Sequence, residues 1–238
     1  MKKLLISLLI PCCATVVMAQ TKKPVAKPTV SGAPAVAKLT STLDSASYAF
    51  GISMASSLKN SGMNSLNYEL LTLGMKDTFA GQNALLSNEA AESAIGNIFR
   101  SLTKAKYAAS IAEGKEFLEN NKTKPGVKTT ASGLQYIVIN QGNGIQPKGS
   151  DSVLVHYKGN LLNGKQFDSS YDRGQPHTLT LDRVIPGWME GMKLMSTGSK
   201  FKFFIPYQLA YGESGAGRDI PPYSTLIFEI ELLKVNGK

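Results

Sequence analysis

Five short segments between Val155 and Phe228 carry the side chains whose types and spacing suit chemistry. They are V-H-Y-K-G (Val155–Gly159), G-K-Q-F-D-S-S (Gly164–Ser170), V-I-P-G-W (Val184–Trp188), L-A-Y-G (Leu209–Gly212) and I-P-P-Y-S-T-L-I-F (Ile220–Phe228). Each sets aromatic or branched apolar residues beside a glycine or proline turn, and charged groups are sparse among them. The stretch has no cysteine, and the chain's two histidines, His156 and His177, cannot assemble a metal site unaided. Such a composition describes an apolar, aromatic-walled pocket on a small sheet, not a charged reaction centre. Taken singly, Tyr157, Phe201, Phe228 and Trp188 read as plain core. Asp168, ahead of Ser169-Ser170, also suits a turn in which the carboxylate accepts local backbone N–H groups.

Strands are needed to carry these segments, and alternation supplies them. Leu134, Tyr136 and Val138 alternate with Gln135, Ile137 and Ile139 in a first strand. Further strands are predicted at 153–161, around 166–168, at 178–181, at 200–205 and at 225–233. The last sets Leu226, Phe228, Ile230 and Leu232 on one face against Ile227, Glu229 and Glu231 on the other. Between Pro186 and Met195 there is room for one short helix, with Pro186 tolerated in its first turn. A sheet wrapped on one helix makes this part α+β.

The preceding segment is helical. Tyr48, Ile52, Ala55 and Leu58 recur at three- and four-residue spacing until Gly62. Asn67 caps a second helix through Leu70, Leu71, Met75 and Phe79, ended by Gly81. A third starts near Ser87 or Asn88, with Glu89 and Glu92 suited to the positive end of the helix dipole. Its apolar stripe of Ile95, Ile98, Leu102, Ala105, Ala109 and Ala112 runs on toward Asn121. An unbroken helix of about 33 residues would be about 50 Å long. Two short helices and one long one make a poor core alone, so this segment is expected to complete its core against a second copy. A solvated spacer is the other reading of the same pattern.

At 238 residues the chain has room for two domains. Its formal charge is +9, but Lys2, Lys3, Lys22, Lys23, Lys27 and Lys38 lie in the first forty residues, which argues against nucleic acid as a partner. Residues 1–19 read as a secretory signal peptide, with Lys2-Lys3, the apolar Leu4–Ile10 and the small residues of Val17-Met18-Ala19. Both cysteines, Cys12 and Cys13, fall inside it. A lipid anchor on Cys12 is the lesser alternative, because Pro11 stands where a small residue is wanted. Residues 20–40 mix proline, lysine and small residues into a flexible tether. The expected setting is a bacterial periplasm or cell envelope.

The five segments, in this order, resemble the FKBP-type peptidyl-prolyl cis–trans isomerases. S-Y-A-F-G-I-S-M (Ser47–Met54) and A-E-G-K-E-F-L-E-N-N (Ala112–Asn121) resemble the amino-terminal helical domain of the macrophage infectivity potentiator type of that family. The resemblance implies an all-helical dimerisation domain over residues 41–125, joined by a long helix to an isomerase domain over residues 130–238. A fragment from about Ala131 onward is then expected to be a folded monomer. The activity implied needs no nucleophile, metal or cofactor. Rotation about the X-Pro bond is opposed by about 18–20 kcal/mol of amide resonance. An apolar pocket that strips water from the carbonyl weakens that resonance.

Matched residue by residue, the resemblance makes Trp188 the floor beneath the proline ring and Tyr157, Phe167, Val184, Ile185, Ile220 and Phe228 its walls. It gives the Ile185 N–H and the Tyr211 hydroxyl as donors to substrate carbonyls. Asp168 becomes the carboxylate near the twisting amide, and Arg173 holds Asp168 and Tyr157 from behind. His177 stands where many members place a rim phenylalanine. Proline-containing unfolded polypeptides are the implied substrates, and rapamycin- or tacrolimus-type macrolides the implied inhibitors. Two rivals stand beside this reading: a dimeric holdase with incidental activity, and an inactive envelope scaffold.

Overall fold

Helix capping sets where each amino-terminal helix begins. The computed structural model describes residues 38–81 and 84–237, so the leader and nearly all of the tether lie outside the described residues. The chain divides between Ala49 and Phe50 into two units. Helix α1 (Thr42–Asn60) opens on a reciprocal cap. The Ser41 hydroxyl accepts the Asp44 N–H at 3.0 Å, and the Asp44 carboxylate accepts the Ser41 N–H at 2.9 Å. Asn67 caps α2 (Tyr68–Ala80), and Gly81, at φ 62°, ends it in the left-handed region. Ser87 caps α3 (Asn88–Lys106).

The long third helix is not continuous. Tyr107, at φ −101° and ψ 16°, separates α3 from α4 (Ala108–Asn121). Hydrogen bonds from the Tyr107 N–H to Thr103 and from the Ile111 N–H to Tyr107 keep the ladder running on both sides. The interruption falls where the Tyr107 ring packs against Tyr223, with centroids 6.5 Å apart. Arg100 of α3 also pairs with Glu213 at 3.3 Å. Tertiary packing therefore overrides the unbroken ladder that the apolar stripe predicts.

A seven-stranded antiparallel sheet follows: β1 (Lys128–Thr129), β2 (Gln135–Asn140), β3 (Ser152–Leu161), β4 (Gln166–Ser169), β5 (His177–Thr180), β6 (Lys200–Ile205) and β7 (Leu226–Val235). Its order is β1-β2-β6-β7-β3-β4, with β5 also paired to β3. The ends of the predicted strands shift slightly. Leu181 leaves β5 and opens a 3-10 turn, while β7 runs on to Val235. In β7, Leu226, Phe228, Ile230 and Leu232 are buried and their neighbours half-buried, as the alternation requires.

One helix covers the inner face of this sheet. Helix α5 (Pro186–Met192) lies close enough that a Cβ on Gly187 would stand 2.5 Å from Ile205. A Cβ on Gly191 would stand 2.6 Å from Phe203. The two glycines, four apart on one face, let the backbone settle on β6 and carry Trp188 and Met192 into the core. This is the α+β arrangement expected of the carboxy-terminal part.

Helix α4 also packs on the sheet. A Cβ on Gly114 would meet Thr225 at 2.5 Å, and Phe117 tilts against Phe204 with centroids 5.8 Å apart. The buried Gln135 accepts from the Asn121 amide at 2.9 Å and donates to the Leu118 carbonyl at 2.8 Å. A cut at residue 131 would remove all of these partners.

Candidate active site

Tyr157 is fixed before any substrate arrives. It sits in β3 with its side chain on the buried face. Ser170 pins its backbone twice: the Tyr157 N–H donates to the Ser170 hydroxyl at 2.7 Å, and the Ser170 N–H donates to the Tyr157 carbonyl at 2.9 Å. The Tyr157 hydroxyl donates to Asp168 at 2.5 Å and accepts from Arg173 at 2.8 Å. Arg173 also forms an ion pair with Asp168, and its guanidinium lies 5.4 Å from the centre of the Tyr157 ring. The single hydroxyl proton of Tyr157 is thus committed to Asp168. Tyr157 orients the carboxylate and walls the cavity.

The floor follows from α5. Trp188 meets Tyr157 nearly edge-on at 5.1 Å and Phe228 likewise at 5.0 Å. Phe167 stands edge-on to Phe228 at 5.4 Å. Gly159 makes room for this cluster, since a Cβ there would lie 2.7 Å from both the Phe167 and Phe228 rings. In register, Gly159 faces Phe228 on β7 and Asp168 on β4, which sets wall and carboxylate side by side. Ile185 is the N-cap residue of α5, so its own N–H has no intrahelical acceptor and is free in principle to meet a ligand.

These side chains close a cavity of about 290 Å³. Its lining unites Tyr157, Phe167, Asp168, His177, Val184, Ile185, Trp188, Tyr211 and Phe228, the residues the resemblance implies. Arg173 stands behind Asp168 and Tyr157. Ile220 differs: it is buried in the core, bridged to Ala216, and is not among the lining residues. Leu179 and Arg183 line the cavity and were not anticipated. The sequence carries only a weak signal for them, namely their position just ahead of Val184-Ile185.

Electrostatics keep Asp168 ionised. Burial pushes its carboxyl up, but the Tyr157 hydroxyl and the Arg173 guanidinium outweigh burial and hold it below the usual carboxylate range. Burial, then the nearby carboxylate, raises both Tyr157 and Tyr211, so their hydroxyls stay protonated. Ordinary values are about 3.9 for aspartate and about 10 for tyrosine. Activity is therefore expected to be flat from about pH 5 to about pH 9 in a pH–kcat/KM profile. Because the folded carboxyl is depressed, its contribution to stability is complete above the unfolded value of about 3.9 and fades as pH falls through the lower folded one. A limb inside that range would contradict this expectation.

Two family models match this chain. The one described as FKBP-type peptidyl-prolyl cis-trans isomerase covers residues 143–233. The one described as the domain amino terminal to FKBP-type peptidyl-prolyl isomerase covers residues 43–138. The FKBP-type 22 kDa peptidyl-prolyl cis-trans isomerase of Escherichia coli (strain K12) is 44% identical over 193 residues, 80% of this chain and 94% of that protein. The chain belongs to the FKBP-type peptidyl-prolyl isomerases. Outer membrane protein MIP of Legionella longbeachae is 38% identical over 205 residues, 83% of this chain and 87% of that protein. The crystal structure of FkpA from Escherichia coli aligns with a TM-score of 0.55 at 40% identity, covering 83% of this chain and 98% of that one. As an FKBP-type enzyme, the chain needs a site that desolvates an X-Pro amide. The cavity walled by Tyr157, Phe167, Trp188 and Phe228 has the chemistry for that task. The comparisons favour the isomerase over the holdase.

Proposed function

We propose that this FKBP-type isomerase turns X-Pro bonds in the cavity above Trp188. The proline ring rests on the indole between Tyr157, Phe167 and Phe228, and the apolar walls strip water from the amide. Resonance places partial negative charge on the carbonyl oxygen, and water stabilises that planar form. Without water the twisted amide is relatively favoured, so the pocket binds the transition state better than the ground state. The Ile185 N–H and the Tyr211 hydroxyl hold flanking backbone carbonyls. Tyr211 lines the cavity and is partly exposed, which leaves its hydroxyl within reach of a bound peptide. Asp168, held ionised by Tyr157 and Arg173, faces the twisting amide.

The observation that carries this reading is the Tyr157–Asp168–Arg173 network set beside the aromatic and branched walls of Phe167, Val184, Ile185, Trp188 and Phe228. A macrolide of the rapamycin or tacrolimus type is expected to occupy the same cavity. Titration should raise the melting temperature and inhibit turnover of a Leu-Pro peptide with one common Kd. Macrolide binding without competition would move the peptide site elsewhere.

The clients are proline-containing unfolded or partly folded polypeptides, met in the periplasm or cell envelope. Support comes from the leader-like residues 1–19 and from a relative named as an outer membrane protein. Among the described residues no helix is long and apolar enough to cross a membrane.

The enzyme works as a homodimer built on its amino-terminal helices. Helices α1, α2 and α3 bury no residue of their own. Phe79 is 91% exposed and Phe50 77% exposed, with Ile52, Leu70, Ile95 and Ile98 also open. That much apolar surface calls for a partner, and a second copy supplies the matching faces. Because α4 packs on the sheet, the isomerase fragment is taken to start at Tyr107. Light scattering should give a dimer for the full chain and a monomer for residues 107–238. Residues 131–238 should melt at least about 5 °C below 107–238, since Gln135 loses both partners and about 1 kcal/mol shifts a domain of this size by about 4–8 °C. A monomeric full chain at micromolar concentration would contradict the assembly.

A further inference from the structure

Arg183 lines the cavity. It ends the 3-10 turn Leu181–Arg183, immediately before Val184 and Ile185, and its side chain is exposed. Among the described residues no carboxylate pairs with it. Asp168, the one carboxylate that lines the cavity, is taken by Arg173 and Tyr157. Asp219, on the loop that leads to Ile220, is taken by Lys165 at 2.8 Å. The cavity lining therefore presents one uncompensated positive charge beside apolar walls. A guanidinium with no partner at the edge of a substrate pocket meets a carboxylate with good geometry and little loss of its own hydration.

We infer that Arg183 is a specificity residue that favours X-Pro segments carrying an acidic side chain next to the proline. The inference rests on the cavity being the isomerase site and names the class of peptide it prefers. Walls of Phe167, Val184 and Phe228 take the proline whatever its neighbours, so the charge adds selection without adding chemistry.

The test uses the full-length protein and peptides that differ at one side chain. Glu, Gln and Lys are placed in turn immediately before the proline, and in a second set immediately after it. NMR exchange gives kcat/KM for each. At one of the two positions, Glu is expected to exceed Gln by about three- to fivefold, the range of an exposed ion pair, with Lys lowest. The preference should shrink in about 1 M salt, where the Debye length is about 3 Å. Arg183→Gln should bring the Glu-to-Gln ratio close to one, and Arg183→Glu should place Lys above Glu. These ratios are read within one variant, so a change in overall activity does not confuse them. Equal turnover of Glu, Gln and Lys peptides at both positions, or a preference that survives Arg183→Glu, would overturn the inference and leave the isomerase site standing. No turnover of any peptide by the wild type would overturn the site, and this inference with it.

Discussion

Trp188→Ala is expected to leave a protein that binds no macrolide, shows no measurable X-Pro turnover and unfolds at markedly lower denaturant. The indole is 6% exposed and packs edge-on against both Tyr157 and Phe228. Truncating a core aromatic of this size costs about 3–5 kcal/mol. Loss of fold and loss of catalysis would then coincide, so Trp188→Phe is the informative companion. The indole N–H is buried with no acceptor, and removing it forfeits no hydrogen bond. Trp188→Phe should therefore keep most of the stability and lose activity in proportion to the floor area removed. Denaturant midpoints and exchange rates on both variants check this. Full turnover in a folded Trp188→Ala protein would show that the floor lies elsewhere.

Asp168→Leu is expected to separate chemistry from folding. Its side chain is 41% exposed and its ion pair with Arg173 is open to water, so the pair adds little to stability. Leucine has similar volume and faces the cavity mouth. The melting temperature should move by only a few degrees, about what 0–1 kcal/mol allows. By contrast kcat/KM for a Leu-Pro peptide should fall at least about tenfold, or about 1.4 kcal/mol of barrier. Tyr211→Phe deletes one neutral hydrogen bond and should cost less, about 0.5–1.5 kcal/mol. The Tyr157 hydroxyl, deprived of its acceptor in Asp168→Leu, still accepts from Arg173.

Local signals fix the elements that carry the site, while the roles of the residues on them came from the resemblance of five segments in order. The caps Asn67, Ser87 and Gly81 mark the helix ends they predict. Period-two alternation in β3 and β7 puts Tyr157 and Phe228 on the buried face, where both line the cavity. What escaped depends on contacts between residues distant in sequence. The break at Tyr107 answers to Tyr223, more than a hundred residues on, which itself takes φ 60° without being glycine. Docking of α4 relies on Gly114 against Thr225 and Asn121 against Gln135, and no spacing rule announces either. Strand β1 is two residues long, too short for any alternation. Ile220 shares its type and segment with true wall residues, yet pairing with Ala216 draws it into the core. Arg183 belongs to none of the five segments, and its place in the cavity lining follows from the 3-10 turn it ends.

The central claim is that an aromatic-walled cavity with one oriented carboxylate turns the X-Pro amide without forming a bond to it. Protease-free NMR exchange on an Ala-Leu-Pro-Phe peptide tests it most directly, comparing wild type with Asp168→Leu at equal folded concentration. The account predicts catalysed cis–trans exchange in the wild type and at least about tenfold less in the variant, with both proteins still protected thermally by macrolide. Equal exchange rates in the two proteins would contradict it.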